Sequence, residues 1–269
     1  MTDSAFKVVI PARYASTRLP GKPLRVLAGR TMLEHVHRLA KKSGAEEVII
    51  ATDDERIREA AMAFGADVCM TSASHATGTD RLAEVAEKQE WDSMTVVVNV
   101  QGDEPLLPPL LVSRVAEDLA QHAEASIATL ATPLDDLDDV FDPHQVKVVC
   151  DAHGYALYFS RAPVPWVRDA FNQGGRTQLP AGVEFLRHIG LYAYRVAFLT
   201  HYAKLAPSPL EQAESLEQLR ALWHGAQIHV IRTLHAPEPG VDTEADLKRV
   251  EALLAALAAG QHPPAAHRR

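Results

Sequence analysis

The sequence predicts an α/β protein, a three-layer α/β/α sandwich whose mostly parallel sheet is extended by antiparallel strands in the second half. Over the first half, short β-branched runs alternate with helical patterns, which is typical of βαβ units. The wholly apolar run at 96–98 marks a strand covered on both faces. After Ala125, strand-like segments follow one another with few helices between them, which favours antiparallel pairing.

The same patterns place the elements along the chain. Strands are predicted at residues 7–10, 47–51, 67–70, 95–100, 126–131, 146–150, 156–160, 185–194 and 228–232. Helices are predicted at residues 32–43, 54–64, 79–88, 109–123, 196–205, 209–223 and 243–259. We expect a single domain over residues 1–260 and a disordered tail at 261–269.

Two local signals refine this assignment. Ser208 and Glu211 form a capping box around Pro209, which stands at the first position of a helix. The segment 168–182 contains Asn, Gly and Pro residues in close succession, which predicts a mobile loop.

Composition excludes several classes of protein. The chain has 269 residues and a formal net charge of -8, which argues against a nucleic-acid binder that displaces counterions. Hydrophobic residues make up 47% of the chain, as in folded globular proteins. No leader pattern opens the chain and no apolar run approaches the length of a membrane helix, so we expect a soluble, cytoplasmic protein. Cys69 and Cys150 are interpreted as reduced core residues.

A basic loop follows the first predicted strand. Residues 11–24 include Arg13, Arg18 and Lys22 together with two hydroxyl side chains. Ligands bind at the carboxyl ends of strands in open α/β sheets, so these residues are candidates for binding a polyphosphate. The loop lacks the glycine spacing of a Walker A motif. A solvated basic loop explains the charges alone equally well.

A second candidate lies after the predicted strand 95–100. Asp103 stands in the polar turn, and a carboxylate there suits Mg²⁺, which proteins bind through one or two carboxylates plus substrate phosphates. The alternative is that Gly102 and Asp103 only shape the turn.

Several motifs occur in a fixed order. They are Pro-Ala-Arg-Tyr-Ala-Ser-Thr-Arg-Leu-Pro-Gly-Lys-Pro-Leu (11–24), Thr-Asp-Arg-Leu-Ala-Glu (79–84), Asn-Val-Gln-Gly-Asp-Glu-Pro (99–105), Tyr-Phe-Ser-Arg-Ala (158–162), Phe-Leu-Arg-His-Ile-Gly-Leu-Tyr (185–192), Ser-Pro-Leu-Glu (208–211), Leu-Glu-Gln-Leu-Arg (216–220) and Gly-Val-Asp-Thr (240–243). With these motifs the chain resembles the family of 3-deoxy-manno-octulosonate cytidylyltransferases, or CMP-Kdo synthetases, over about residues 6–255. The resemblance implies a Rossmann-like nucleotidyltransferase sheet and a homodimer built from the antiparallel part at about residues 125–200.

The resemblance also implies a reaction. The anomeric hydroxyl of Kdo, an acidic eight-carbon sugar, would attack the α-phosphorus of CTP and give CMP-Kdo and pyrophosphate. Mg²⁺ would neutralise the phosphates and orient the displacement. CTP and Kdo are thus the expected small-molecule partners, with no nucleic acid and no membrane. The product would serve lipopolysaccharide biosynthesis.

Each matched residue receives a role from the resemblance. Nucleotide binding is expected of Ala12, Arg13, Ser16, Arg18, Lys22, Gly78 and Gln101. Catalysis is expected of Lys22, Asp103 and Asp242, of which the two aspartates would bind the metal. The sugar site would comprise Arg81, Gln101, Arg161, Arg168, His188, Tyr192, Glu217 and Gln218.

Some of these residues have a competing structural explanation. Asp242 precedes a helix predicted to start at Thr243, where the helix dipole alone favours a carboxylate. Glu217 can be a solvated surface carboxylate. His188 can be a core histidine, because the chain contains 13 histidines. No His-Glu-x-x-His or cysteine pattern indicates zinc.

Two other functions remain open. A relative that acts on another sugar acid, such as a sialic acid, would share the strand and loop pattern, although the motifs at 185–190 and 208–211 favour Kdo. A catalytically inactive sugar-nucleotide sensor is the alternative from a different class. Intact Arg13, Lys22, Asp103 and Asp242 argue against the sensor.

Overall fold

The computed structural model describes residues 5–15, 18–75, 77–172, 178–234 and 236–258. Its strands are β1 (Phe6–Ala12), β2 (Val26–Leu27), β3 (Arg30–Thr31), β4 (Glu47–Thr52), β5 (Asp67–Met70), β6 (Val96–Asn99), β7 (Ile127–Leu134), β8 (Lys147–Cys150), β9 (Ala156–Ser160), β10 (Phe185–Arg195) and β11 (Ile228–Arg232). Its α-helices are α1 (Met32–Lys41), α2 (Glu55–Ala63), α3 (Gly78–Lys88), α4 (Pro109–Gln121), α5 (Leu137–Phe141), α6 (Arg168–Phe171), α7 (Val196–Tyr202), α8 (Pro209–Glu214), α9 (Gln218–Trp223) and α10 (Glu244–Ala258). A 3-10 helix spans Lys22–Leu24.

The chain forms two compact units. The first, which we call the N-terminal unit, comprises Ala5–Trp91, Val97–Ser113 and, among the described residues, 237–258. The second, the middle unit, comprises Asp92–Val96 and Arg114–Ala236. The single domain expected over residues 1–260 stays a prediction.

Parallel strands form the base of the N-terminal unit. Strands β6, β1, β4 and β5 are neighbours in that order, and β4 pairs in parallel with both β1 and β5. Val8, Val9 and Ile10 of β1 are completely buried. Burial on both faces explains why the centre of β1 is a continuous apolar run. The carboxyl ends of β1 and β4 share one edge of the sheet, and the loop 11–24 starts there.

The middle unit contains the antiparallel strands. β10 pairs antiparallel with β7 and with β8, and β8 pairs antiparallel with β9. β11 runs parallel to β7. The ladder between β10 and β7 shifts its register between Ile189 and Tyr192. The predicted fold class, with parallel strands in the first half and antiparallel additions in the second, is therefore confirmed.

The predicted helix at 209–223 is wrong as a single element. It is divided into α8 and α9 by Ser215, whose φ of 51° and ψ of 48° are left-handed. The predicted capping box is present, with Ser208 accepting from the Glu211 amide. Glu211 also pairs with Arg220, whose Nε donates to its carboxylate at 2.8 Å. This pair connects the two short helices across the break.

Other differences concern short elements. Part of the loop predicted at 168–182 is the helix α6, and its Phe171 is buried in a cluster with Leu134, Val140 and Phe185. Residues 173–177 and the tail 261–269 lie outside the described residues. The elements β2, β3 and α5 were not predicted, because a few residues are too short to show a periodicity.

Two further predictions concern the thiols and the membrane. Cys69 is buried and Cys150 half-buried, and both are free thiols as expected. In the ranges that the structure describes, no helix has both the length and the apolar character needed to span a bilayer.

Candidate active site

A cleft of about 450 Å³ opens in the N-terminal unit, beside the end of β1. It is lined by Ala12, Arg13, Arg18, Lys22, Gly78, Gln101, Asp103 and Asp242, together with Pro11, Ala15, Pro23 and Gly102. The structure thus brings together all the described residues that were predicted to bind nucleotide or metal. Ser16 lies outside the described residues.

Two apolar residues hold the charged side chains of this cleft in place. Leu19 and Val241 are buried in one cluster with Met32 of α1. Leu19 belongs to the basic loop, three positions before Lys22, and Val241 directly precedes Asp242. Burial of the two apolar side chains therefore holds both charged residues over the same part of the sheet edge.

Lys22 is the centre of the charged contacts. Its Nζ lies 2.6 Å from Oδ2 of Asp103 and 3.0 Å from Oδ1 of Asp242. It also donates to the Val241 carbonyl oxygen at 3.0 Å. Arg18 Nη2 contacts the same Asp242 oxygen at 3.1 Å. Two carboxylates from distant parts of the chain thus face one ammonium group.

The contacts at the start of α10 answer the competing explanation for Asp242. Thr243 Oγ1 accepts from the Asp246 amide, and the Asp246 carboxylate accepts from the Thr243 amide. This reciprocal pair caps the helix without the Asp242 side chain. The Asp242 carboxylate instead contacts Lys22 and Arg18.

Burial and neighbouring charges have opposite effects on the pKa of Lys22 in this cleft. Burial alone would lower the pKa of Lys22, but the Asp103 and Asp242 carboxylates outweigh it and raise that pKa. Lys22 is therefore a stable cation. Burial beside Asp103 raises the pKa of the Glu104 carboxyl to about 8. Glu104 is hence largely neutral at pH 7.

The turn after β6 approaches the end of β1 closely. A Cβ atom at Gly102 would lie 3.0 Å from the Pro11 carbonyl oxygen, which is closer than most Cβ contacts. A larger residue would therefore push the two loops apart by a few tenths of an ångström. The two explanations of this turn are therefore compatible, because Gly102 shapes it while the Asp103 carboxylate lines the cleft.

Arg13 and Arg81, two arginines of the N-terminal unit, differ in accessibility. Arg13 lines the cleft and donates through Nη2 to the His75 carbonyl oxygen. Burial, and then repulsion from Arg81, lower its pKa. Arg81 is completely buried, with Nη2 2.9 Å from Asp53 and Nη1 donating to Thr71 at 2.6 Å. Its expected role in sugar binding stays a prediction, because every contact seen here is structural.

The other predicted sugar residues belong to the middle unit, except for Gln101. Arg161 directs its guanidinium at backbone carbonyl groups, with Nε donating to Glu214 at 2.7 Å and Nη1 to Pro143 at 2.9 Å. The Glu214 carboxylate in turn accepts from the Arg161 amide at 2.9 Å and from Ser160 Oγ at 2.7 Å. Arg161 is thus fixed from both directions.

His188 and Tyr192 lie on β10 around the register shift. His188 Nε2 is 3.0 Å from Thr129 Oγ1, and its ring packs edge-on against Phe159. Burial lowers the pKa of His188 to about 3, so the imidazole is neutral. The Tyr192 ring centroid lies 5.3 Å from that of His188, and burial raises the pKa of its hydroxyl.

Three predicted sugar residues remain. Gln218 opens α9 and is buried, and its Nε2 has no hydrogen-bond partner in the described structure. Glu217 precedes it, with Tyr202 Oη 3.3 Å from its carboxylate. Arg168 begins α6 and is exposed. The buried amide donor of Gln218 is therefore available to a ligand or a water molecule.

Sequence reasoning missed the residues that support this site. Thr129, Glu214 and Asp53 each hold a predicted residue in position, through His188, Arg161 and Arg81 respectively. None of the three belongs to a matched motif. Their distance along the chain from the groups they contact leaves no local pattern to recognise.

Comparison with known proteins gives a consistent result. The family model described as "Cytidylyltransferase" matches residues 7–228. The chain is 58% identical to a 3-deoxy-manno-octulosonate cytidylyltransferase of Pseudomonas fluorescens, over 94% of this chain and 100% of that protein. It is 55% identical to the protein of the same name from Nitrosococcus oceani, over 93% and 96% of the two chains.

Solved structures agree with the sequence relatives. A CMP:2-keto-3-deoxy-manno-octonic acid synthetase complexed with CTP superposes with a TM-score of 0.85 at 42% identity, covering 94% of this chain and 99% of that one. A cytidylyltransferase from Leptospira borgpetersenii shares the fold, with a TM-score of 0.58 at 15% identity over 94% and 87% of the chains. With these relatives and the charged cleft of its N-terminal unit, the chain belongs to the family of 3-deoxy-manno-octulosonate cytidylyltransferases.

Proposed function

We propose that this chain transfers CMP from CTP to the anomeric hydroxyl of Kdo and releases pyrophosphate. The observation that carries the proposal is the Lys22 ammonium held between two carboxylates in a cleft that also contains Arg13 and Arg18. Cations are needed there to bind a triphosphate, and a carboxylate pair suits a metal that accompanies it. Proteins 55–58% identical to this chain are named for this activity.

We propose Mg²⁺ as the cofactor, bound by Asp103 and Asp242. The donor set fits, because hard carboxylate oxygens from two loops face one point, at present neutralised by Lys22. When bound, Mg²⁺ would neutralise phosphate charge and help to align the displacement.

The chain's own cations bind the phosphates. Arg13 and Arg18 form charge-assisted hydrogen bonds to phosphate oxygens, which arginine can make in pairs. Lys22 supplies a compact positive charge. Its ammonium group exchanges the two aspartates for a phosphate oxygen as the nucleotide binds. Charge that develops on the leaving pyrophosphate is then stabilised by groups already in place.

The sugar is bound by residues of the middle unit. His188 is neutral, so it orients a sugar hydroxyl without adding charge. The unpartnered amide of Gln218 donates to another hydroxyl. The Kdo carboxylate is recognised by an arginine of the predicted set, and exposed Arg168 is the one whose side chain is most accessible.

The proposal is tested by incubating the purified protein with CTP, Mg²⁺ and Kdo, followed by detection of CMP-Kdo and pyrophosphate. Parallel reactions use a sialic acid in place of Kdo, ATP or UTP in place of CTP, and EDTA. We expect product only with CTP, Kdo and Mg²⁺. Turnover of sialic acid but not Kdo would identify a relative with another substrate, and CTP binding without turnover would identify a sensor.

We further propose that the protein acts in the cytoplasm and as a homodimer. Two free thiols agree with a reducing compartment. The dimer is tested by light scattering coupled to size exclusion, where the expected mass is twice the 29.4 kDa of one chain. A mass of one chain at micromolar concentration would contradict it.

A further inference from the structure

The middle unit contains a cluster of metal-ligating side chains that the proposed reaction does not use. Asp118 lies near the end of α4, His122 follows one turn later, and His229 is on β11. In the part of the chain that the structure describes, this is the only set of three such residues whose ligand atoms all lie within 4.8 Å of one another.

Both imidazoles place Nδ1 near the Asp118 carboxylate, and His229 is the one hydrogen-bonded to it. His229 Nδ1 is 2.7 Å from Asp118 Oδ2, and His122 Nδ1 is 3.5 Å from Asp118 Oδ1. The two rings stack, with centroids 3.6 Å apart and planes inclined by 19°. One ligand atom from each of the three residues thus lies within 4.8 Å of the other two.

The surroundings of His229 match those of a histidine ligand. Its Nε2 is 3.2 Å from the His153 carbonyl oxygen, so Nε2–H can donate there and leave Nδ1 as the ligand atom. Ligating histidines almost always donate their other ring N–H in this way. A Cβ atom at Gly154, where φ is +88°, would lie 2.8 Å from Nε2. Only glycine lets the imidazole take this position.

We propose that Asp118, His122 and His229 bind one divalent transition-metal ion of the Zn²⁺ and Co²⁺ type. Two imidazoles and one carboxylate are a ligand set that these ions prefer, and water would complete a tetrahedron. Neighbouring ligand atoms in such a site are about 3.3 Å apart, so small side-chain rotations are sufficient. The bound ion would connect the end of α4 to β11.

A simple ion pair between Asp118 and His229 explains less of the geometry. That pair needs one imidazole, whereas the structure stacks a second one over it, with Nδ1 3.5 Å from the same carboxylate. His122 Nδ1 is also 2.8 Å from the Asp118 carbonyl oxygen, so ion binding requires this ring to exchange that hydrogen bond for the metal. The ion pair alone is therefore the competing outcome of the test.

The test is a calorimetric titration of Zn²⁺ into the metal-stripped, full-length protein. Millimolar Mg²⁺ is present throughout, so that the carboxylates of the cleft do not contribute. We expect one ion to bind with a Kd below about 10 µM, as a site with three protein ligands requires. A hundredfold excess of Zn²⁺ over Kd should raise Tm by about 5 °C or more. Co²⁺ should give the visible absorption of a tetrahedral complex.

Variants assign the ion to the cluster. His122→Ala leaves the pair between Asp118 and His229 intact and should weaken Zn²⁺ binding by about 100-fold. Asp118→Asn, which keeps a hydrogen-bond acceptor for His229, is the second variant and should have a similar effect. His201→Ala is the matched control, because His201 is an exposed histidine of the same unit. It should bind Zn²⁺ as the wild type does.

Two results would overturn the proposal. If no Zn²⁺ binds below millimolar concentration, the cluster is an ion pair with a stacked histidine. If His122→Ala and Asp118→Asn bind Zn²⁺ as tightly as the wild type, the ion occupies another place in the chain. Activity is not needed as a readout, so failure of the proposed transferase function would leave the result unaffected.

Discussion

The polar side chains of the predicted site differ between the two units in their partners and in their exposure. In the N-terminal unit, Lys22 contacts Asp103 and Asp242, whose side chains are 33% and 47% exposed. In the middle unit, Arg161 is hydrogen-bonded to backbone carbonyl groups and His188 is enclosed and neutral. The first arrangement can exchange its partners when a ligand arrives, and the second is fixed in advance. Substitutions should therefore separate activity from stability in the first unit and change both together in the second.

The largest effect is expected for Asp103→Asn. The substitution removes a charge needed for the metal and for the position of Lys22, so kcat/KM should fall by about 100-fold or more. The Tm should change by less than about 2 °C, because Asp242 still pairs with Lys22 and the Asp103 side chain is one-third exposed. Kinetics at several Mg²⁺ concentrations and a thermal melt measure the two quantities. Glu244→Gln, which removes an exposed partner of Arg25 in the same unit, is the control and should leave both unchanged.

An Asp103→Asn variant with near wild-type turnover at low Mg²⁺ would remove Asp103 from the site. If the variant unfolds, activity and stability would change together in both units. The fold of the cleft would then depend on the pair of Lys22 and Asp103.

The next effect is a pH dependence due to His188. Its pKa is about 3 in the folded chain and about 6.5 when unfolded, so the unfolded state takes up the proton first. The resulting stability is fully present above pH 6.5 and is lost as the pH falls toward 3. Between pH 6.5 and 5 the loss should be about 2 kcal/mol. Urea unfolding at the two pH values measures it, with His188→Gln as the comparison.

In His188→Gln the free energy of unfolding should depend less on pH, whatever its absolute value. Equal slopes in the variant and the wild type would show that His188 is already protonated or hydrated in the folded state. The middle unit would then be less rigid than its contacts suggest.

Arg161→Lys should have a smaller effect, which combines a loss of stability with a lower kcat/KM. Lysine cannot reproduce the fork that contacts the carbonyl groups of Glu214 and Pro143, so the free energy of unfolding should fall by about 1–2 kcal/mol. Urea unfolding and steady-state kinetics with each substrate check this. Normal stability together with a loss confined to kcat/KM for Kdo would make Arg161 the carboxylate clamp and would break the comparison between the units.

The smallest effect is expected at the break between α8 and α9. Ser215→Gly relieves the left-handed backbone strain but increases the entropy of the unfolded chain, so the free energy of unfolding should rise by less than about 1 kcal/mol. Ser215→Val should lower it, because a β-branched residue tolerates positive φ poorly. Chemical denaturation of both variants provides the measurement. Two equal values would show that this conformation is not retained in solution.

The sequence predicted the strands well, because burial on one or both faces leaves a direct pattern in the residue types. It also predicted Arg13, Lys22 and Asp103 of the cleft, since they lie in loops that follow buried strands, whereas Asp242 was expected only from the family resemblance. The break at Ser215 could not be predicted, because Leu216, Leu219 and Trp223 continue the helical spacing past it. The burial of Arg81 was hidden for another reason, since its partner Asp53 is 28 positions away.

The pair of Glu211 and Arg220, which connects α8 to α9, has a consequence for the order in which the chain folds. The Glu211 carboxylate accepts from the Ser208 amide and from Arg220, so its partners are separated by only a short stretch of chain. Closing so short a loop costs little entropy, and local contacts form quickly. Glu217 and Gln218 can therefore acquire their positions before the strands of the middle unit have paired. This part of the predicted sugar site would then form within the segment of α8 and α9, and the strands of the middle unit would pack against it afterwards.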